Sequence, residues 1–277
     1  MGSGHTGQHL GRLGGRAALA GLVLLATAAG TEAGGGEIAP HRAFYEVGLV
    51  RAGASSGIGG LSGAAAYEWT SDCERTVVTR ETRLLIQSDE GEPVAVRVDF
   101  SAWERLDGTA YGFSGKTSRT GVPVEERRGR ARLPAPGAGG EVIYSRPDGD
   151  RLALAPGTLF PGAWIEKVIE HARTGDGLFT RTVFFGEDED DLLTASLLVL
   201  PDSAAGTAPE APEELDGLAR WRARIAFFGA NDDTTPAFES TEWFYENGVG
   251  GDAEVAFPDF TIRYRLKELE LLAPPAC

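Results

Sequence analysis

A chain of 277 residues, 42% hydrophobic and 24% charged, is long enough to bury a sizeable core and too apolar for wholesale disorder. Its 41 acidic side chains outweigh 26 basic ones, a formal charge of −15, which excludes a role resting on nonspecific nucleic-acid binding. Two cysteines are too few for a zinc ribbon or an iron–sulfur site.

Residues 1–28 read as a secretory signal peptide. Arg12 and Arg16 form a positive start, and Ala17 to Ala29 then runs without charge around Leu22-Val23-Leu24-Leu25. A bilayer span needs about twenty apolar residues, and this run is shorter. Ala26-Thr27-Ala28 supplies a cleavage site, and Thr31-Glu32-Ala33 a weaker one. No cysteine follows to carry a lipid, and no paired arginines precede, so export by the general secretory route is expected. Cleavage leaves 24 basic against 41 acidic residues, a balance of −17. No later apolar stretch is long enough for a second span, so no membrane span is expected.

Residues 29–277 read as one β domain. Tyr45, Val47 and Leu49 alternate with Glu46, Gly48 and Val50; Ala65, Tyr67 and Trp69 alternate with Ala66, Glu68 and Thr70. The same period of two recurs over Val94 to Trp103, Trp221 to Phe228 and Phe260 to Lys267. Such alternation predicts strands with one buried and one wet face. Glycine and proline clusters at Gly57 to Gly60, Asp107-Gly108, Pro134 to Gly140 and Pro147 to Gly149 separate them. Asn247-Gly248 after Trp243-Phe244-Tyr245 predicts a tight hairpin with positive φ angles. One central segment differs. Trp164, Ile165, Val168, Ile169 and Ala172 have helical spacing, with Pro161 suited to the first turn and Gly175 to the stop. Flexible acidic loops are expected at 187–191 and 201–217, and a turn at Asn231-Asp232-Asp233. Arg97, Asp99, Arg222, Arg224, Arg263 and Arg265 occupy the second strand faces, which disfavours a membrane barrel.

No catalytic constellation is legible. The mature part holds His41 and His171 only, and Gly60-Leu61-Ser62-Gly63-Ala64 lacks the last glycine of a nucleophile elbow. No metal site and no cofactor are implied, and Gly57-Ile58-Gly59 precedes no helix as a dinucleotide motif requires. Glu187 to Asp191 lacks the spaced ligands of a calcium loop and reads as solvated. Carboxylate chemistry needs only two acids at the right separation, so a carboxylate-dependent envelope glycan hydrolase is the alternative to a binding protein. Cys73 and Cys277 form an even pair in an exported chain and read as a disulfide; free thiols and an intermolecular bridge are the other arrangements.

Adjacent aromatics are the remaining signal. In a strand they face opposite sides, so one of each pair leaves the main core. It then covers a second core layer or lines a concave groove. Phe160, Trp164, Trp221, Phe228, Trp243 and Phe244 are the candidate groove or partner-lining residues.

Several ordered stretches share one likeness. Ala39-Pro40-His41-Arg42-Ala43-Phe44-Tyr45 opens the mature domain; Gly60 to Gly63 leads into Tyr67-Glu68-Trp69 and Cys73. Phe244-Tyr245-Glu246-Asn247-Gly248-Val249 precedes Asp259-Phe260, a last strand at Tyr264 to Leu272, and Cys277. The chain resembles the envelope integrity protein B (EipB) family of Gram-negative bacteria. The resemblance implies a non-enzymatic periplasmic protein supporting the cell envelope. It implies a mainly β fold, a long antiparallel sheet wound into an open, barrel-like spiral like the half-barrels of lipoprotein carriers. It implies a Cys73–Cys277 disulfide and no catalytic residues. The expected partners are a lipid or lipoprotein-like ligand, or a periplasmic protein, held on the curved sheet.

Overall fold

The computed structural model describes residues 38–175, 177–187, 192–201, 206–229 and 234–277. The signal peptide, Asp188 to Asp191 and the Asn231-Asp232-Asp233 turn lie outside the described residues.

The alternating segments form strands. In chain order they are β1 (His41–Ala52), β2 (Ile58–Ser71), β3 (Arg75–Ser88), β4 (Val94–Arg105), β5 (Ala110–Arg119), β6 (Val122–Arg132), β7 (Gly140–Arg146) and β8 (Asp148–Leu154). Helix α1 (Pro161–Thr174) follows, then β9 (Leu178–Phe184), β10 (Leu192–Val199), β11 (Arg220–Gly229), β12 (Phe238–Tyr245), β13 (Gly250–Ala256) and β14 (Phe260–Leu271). All fourteen join one antiparallel sheet ordered β8-β7-β6-β5-β4-β3-β2-β1-β14-β13-β12-β11-β10-β9. The sheet does not close, because β8 and β9 are its two edges. It is the open, barrel-like sheet with a single central helix that the sequence led us to expect.

Register fixes which side chains face inward. His41, Ala43, Tyr45 and Val47 of β1 are buried, while Arg42, Phe44 and Glu46 between them are exposed. A one-residue slip would exchange these sets, so burial locks the pairing. Close approach of two strands also needs glycine at one point. A Cβ on Gly63 in β2 would lie 2.1 Å from the Arg83 carbonyl oxygen of β3, and backbone cannot swing aside.

Helix α1 lies against the inner face and buries Trp164, Ile165, Val168, Ile169 and Ala172 in the larger core cluster. Pro161 occupies the first turn, where its missing N–H costs nothing. Gly175 ends the helix at φ 71°, and its N–H donates to the His171 carbonyl. A smaller cluster gathers Phe100, Tyr111, Phe113, Tyr144, Phe160 and Phe184 between β4–β8 and the segment around the helix start.

Three local expectations are corrected. The turn after β12 runs from Tyr245 to Gly248, closed by Gly248 N–H to Tyr245 O at 2.6 Å, and only Gly248 of the Asn-Gly pair has positive φ. Asn247 is instead buried, with its Oδ1 accepting the Val249 N–H. Glu187, read as the start of a solvated acidic run, is buried against Arg80. In the acidic stretch 201–217, Leu215 sits on a short 3-10 turn and enters the main core. Among the described residues no helix is long and apolar enough to cross a membrane.

Candidate functional site

The aromatic candidates do not meet on one surface. Phe160 is buried at the start of α1 and stacks on Tyr111 at 5.3 Å between ring centroids. Trp164, one turn on, is fully buried and stacks on Phe179 at 5.8 Å. Phe244 is buried against part-buried Trp221 at 5.6 Å. Trp243 faces the other side of the same strand, with the Arg220 and Arg222 guanidinium carbons each 5.9 Å from its ring. Phe228 is part-buried on β11, beside Phe227 of the core. Cys73 and Cys277 are bonded, with Cα atoms 5.7 Å apart.

The inner face also holds charge. Arg80 of β3 and Glu187, beyond β9, form a two-pronged pair at 2.7 and 3.1 Å, with side chains 7% and 9% exposed. Arg80 lies over the Phe100 ring, 5.5 Å from its centroid. Tyr111 Oη donates to the Phe185 carbonyl at 2.6 Å, so the segment after β9 is tied to β3 and β5 together. Gly186 presses against the Phe113 ring, where a Cβ would lie 2.6 Å away.

Glu104 of β4 caps the helix from across the fold. Its carboxylate accepts the Gly162 N–H at 2.6 Å and the Ala163 N–H at 3.1 Å. Phe160, at the cap position itself, offers no side-chain bond. The first N–H groups of any helix need such acceptors, and the positive end of the helix favours a carboxylate. Burial nonetheless raises Glu104 to about 7, the two N–H donors opposing that rise. A cavity of about 30 Å³, room for one or two water molecules, lies beside it, lined by Glu104, Trp69, Arg80 and Glu187.

Glu242 of β12 is a second buried acid. It lies in register between Ala223 and Ala253, and burial raises it to about 8. The folded protein therefore holds this proton between about pH 4.5 and 8, while the unfolded chain releases it. Stability from this group is fully present below the lower value and is lost as pH rises through the window. We expect Glu242→Gln to raise the urea midpoint at pH 8 and to flatten the decline from pH 5 upward, leaving the part due to Glu104, which ends near 7. Urea titrations at several pH values check this; an unchanged slope in the variant would assign the titration elsewhere. His41 responds in the opposite sense, pushed down to about 4 by burial while its Nδ1 bonds the Ala39 carbonyl.

An open concavity lies on the outer face. A trough of about 760 Å³ crosses β14, β1, β2, β3, β4 and β5 at mid-strand. Its floor is strand backbone. Its walls carry Glu68, Glu81, Asp99, Glu268 and Glu270, with Arg42, Lys116 and the 40%-exposed ring of Phe44. Arg42 is shared by Glu68 and Glu270. Six strands at ordinary spacing make it roughly 24 Å long.

An open antiparallel spiral plugged by one helix, with its free concavity outside, defines a β-barrel-like protein. The chain belongs to the EipB-like family, whose model matches residues 32–273. It is 28% identical over 243 residues to the cell envelope integrity protein EipB of Brucella abortus (strain 2308), covering 84% of each chain. It is also similar to a crystal structure titled as a β-barrel-like protein of a domain of unknown function from Brucella abortus. That match has a TM-score of 0.77 at 28% identity and covers 85% of this chain and 98% of that one. The family read from the terminal motifs and the cysteine pair is thus the family found.

Proposed function

We propose that this chain is an exported, non-catalytic protein of the periplasm that supports envelope integrity by holding a polypeptide partner in the outer trough. The similarity to the cell envelope integrity protein of Brucella abortus supports the role, and the leader-like sequence of residues 1–28 supports the compartment. The single observation carrying the mode of action is that α1 fills the inner face while the trough stays open. A lipid chain needs an apolar chamber, and the inner one is packed with Trp164, Ile165, Val168 and Ile169. The trough suits an extended segment crossing the strands, with basic side chains meeting its carboxylates and an apolar one meeting Phe44.

A photocrosslinking residue at position 44, compared with one at exposed Val124 outside the trough, tests this in intact cells. A protein adduct from position 44 alone, lost in Glu268→Lys/Glu270→Lys, is expected. Equal adducts from both positions, or none, overturn the proposal. Native mass spectrometry after gentle purification adds the other arm: a retained acyl mass would replace the polypeptide with a lipid.

A further inference from the structure

The chain is acidic, yet one pocket of about 370 Å³ on the outer face is walled by four arginines. Arg75, Arg105, Arg130 and Arg132 line it with Trp103 and a single acid, Glu74. Strand register gathers them. Arg75 of β3 stands directly opposite Arg105 of β4, and Ala110 of β5 opposite Arg132 of β6. Trp103 stands opposite Gly112, and Gly112 opposite Arg130. Gly112 has to be glycine for this arrangement, because a Cβ there would lie 2.3 Å from the Trp103 indole nitrogen. The indole therefore lies across β5 and spans the gap between the arginines of β4 and β6.

Two of the guanidinium groups are aimed by carboxylates. Asp72 bonds Arg75 Nε at 3.1 Å and is itself fixed by the Glu74 and Arg75 N–H groups, each at 2.9 Å. Asp107 takes the Nε and Nη2 of Arg105 at 3.0–3.2 Å while accepting both donors of Thr109. Asp72 thus leaves both Nη groups of Arg75 uncommitted, and Asp107 leaves Arg105 Nη1. Arg130 and Arg132 are exposed and have no ion pair among the described residues. Like charges set directly opposite on a sheet, as Arg75 and Arg105 are, destabilise it. That cost is offset when an anion joins them. The Cys73 bond to Cys277 fixes the turn that carries Asp72 and Glu74 at the pocket's rim.

We infer that this pocket binds a phosphorylated sugar, its phosphate gripped by the arginine forks and its ring lying on Trp103. Guanidinium groups meet phosphate through paired, charge-assisted hydrogen bonds. An aromatic floor with a few convergent polar groups is the usual make-up of a small-ligand site, and the volume falls within that range. The same chemistry is offered by a free sugar phosphate and by the phosphorylated glycan head of a lipid. The site is separate from the trough and does not depend on the polypeptide proposed there.

The test uses the mature protein with its disulfide intact. Calorimetric titration with glucose 6-phosphate, with glucose, and with phosphatidylcholine vesicles with and without lipid A distinguishes the sources. Saturable binding of glucose 6-phosphate but not glucose is expected, falling at least about tenfold in Arg130→Ala/Arg132→Ala and weakening as salt rises. Binding confined to the lipid A vesicles and lost in the same variant assigns the phosphorylated sugar to a lipid. Both arginines are exposed, so an unchanged melting temperature in the variant keeps that loss interpretable. Absence of binding in every arm, or undiminished binding in the variant, overturns the inference. A Trp103→Leu protein adds a second readout: retained affinity for inorganic phosphate with loss of the preference for the sugar ester.

Discussion

Reduction of the Cys73–Cys277 bond is expected to lower the melting temperature by up to roughly 10–20 °C. The two cysteines are 204 residues apart in sequence. A cross-link closing so long a loop removes much of the freedom of the unfolded chain. The loop-entropy relation gives about 5 kcal/mol as an upper figure. Both cysteines are exposed, so their loss opens no cavity and exposes no core. The whole effect then comes from the chain constraint and from the segment after β14, whose Leu272 N–H reaches the Pro40 carbonyl. Scanning calorimetry with and without reductant, repeated on Cys73→Ser, measures it. Agreement of all three melting temperatures within a few degrees would mean that the sheet holds its termini without help.

The second large effect concerns Arg80 and Glu187. Neutralising one partner, as in Glu187→Leu or Arg80→Met, is expected to cost about 3–5 kcal/mol, because a buried charge is left without its counterpart. Replacing both, as Arg80→Met/Glu187→Leu, is expected to recover most of that loss, since a buried pair gains little over apolar packing. Urea unfolding of the three variants closes the cycle. Single variants within about 1 kcal/mol of the parent would show that the pair does not hold the segment after β9 against β3. The contacts beside it, Tyr111 with Phe185 and Phe113 with Gly186, set the background against which the pair is measured.

Much of the architecture was legible because it is written in short periods. The alternation over Tyr45 to Val50 and Val94 to Trp103 became β1 and β4, and the helical spacing around Trp164 became α1. Pro161 and Gly175 marked those ends through local backbone chemistry, which sequence neighbours decide. The cap supplied by Glu104 was not legible, because it comes from 58 residues upstream and Phe160 carries no sign of it. Glu187 was misread for the same reason. Five consecutive acids look solvated, and only the partner on β3 shows that the first of them is inside. Asn247 shows a subtler failure. Asn-Gly signals a turn correctly, but the buried amide oxygen that holds Val249 follows from packing behind the turn. The arginine pocket was invisible in a net charge of −15, since composition averages over faces that strand register keeps apart. Adjacent aromatics were informative about alternation and silent about which face would be covered. Trp243 and Phe244 are neighbours with opposite surroundings.

The strand order carries a consequence for how the chain finds this shape. The first and last strands are partners in the middle of the sheet, with Arg42 opposite Glu270, while the sheet edges come from mid-chain. Among the described residues every other strand pairing joins consecutive strands, so there the β1–β14 seam is the one ladder that must wait for nearly the whole polypeptide. Closing so distant a contact is slow in entropic terms. A circular permutant, with its ends joined across the seam and a new opening between β8 and α1, would read as a plain meander from β9 to β14 and on to β8. Its neighbours in space would all be neighbours in sequence, and it would reach the same sheet without the wait.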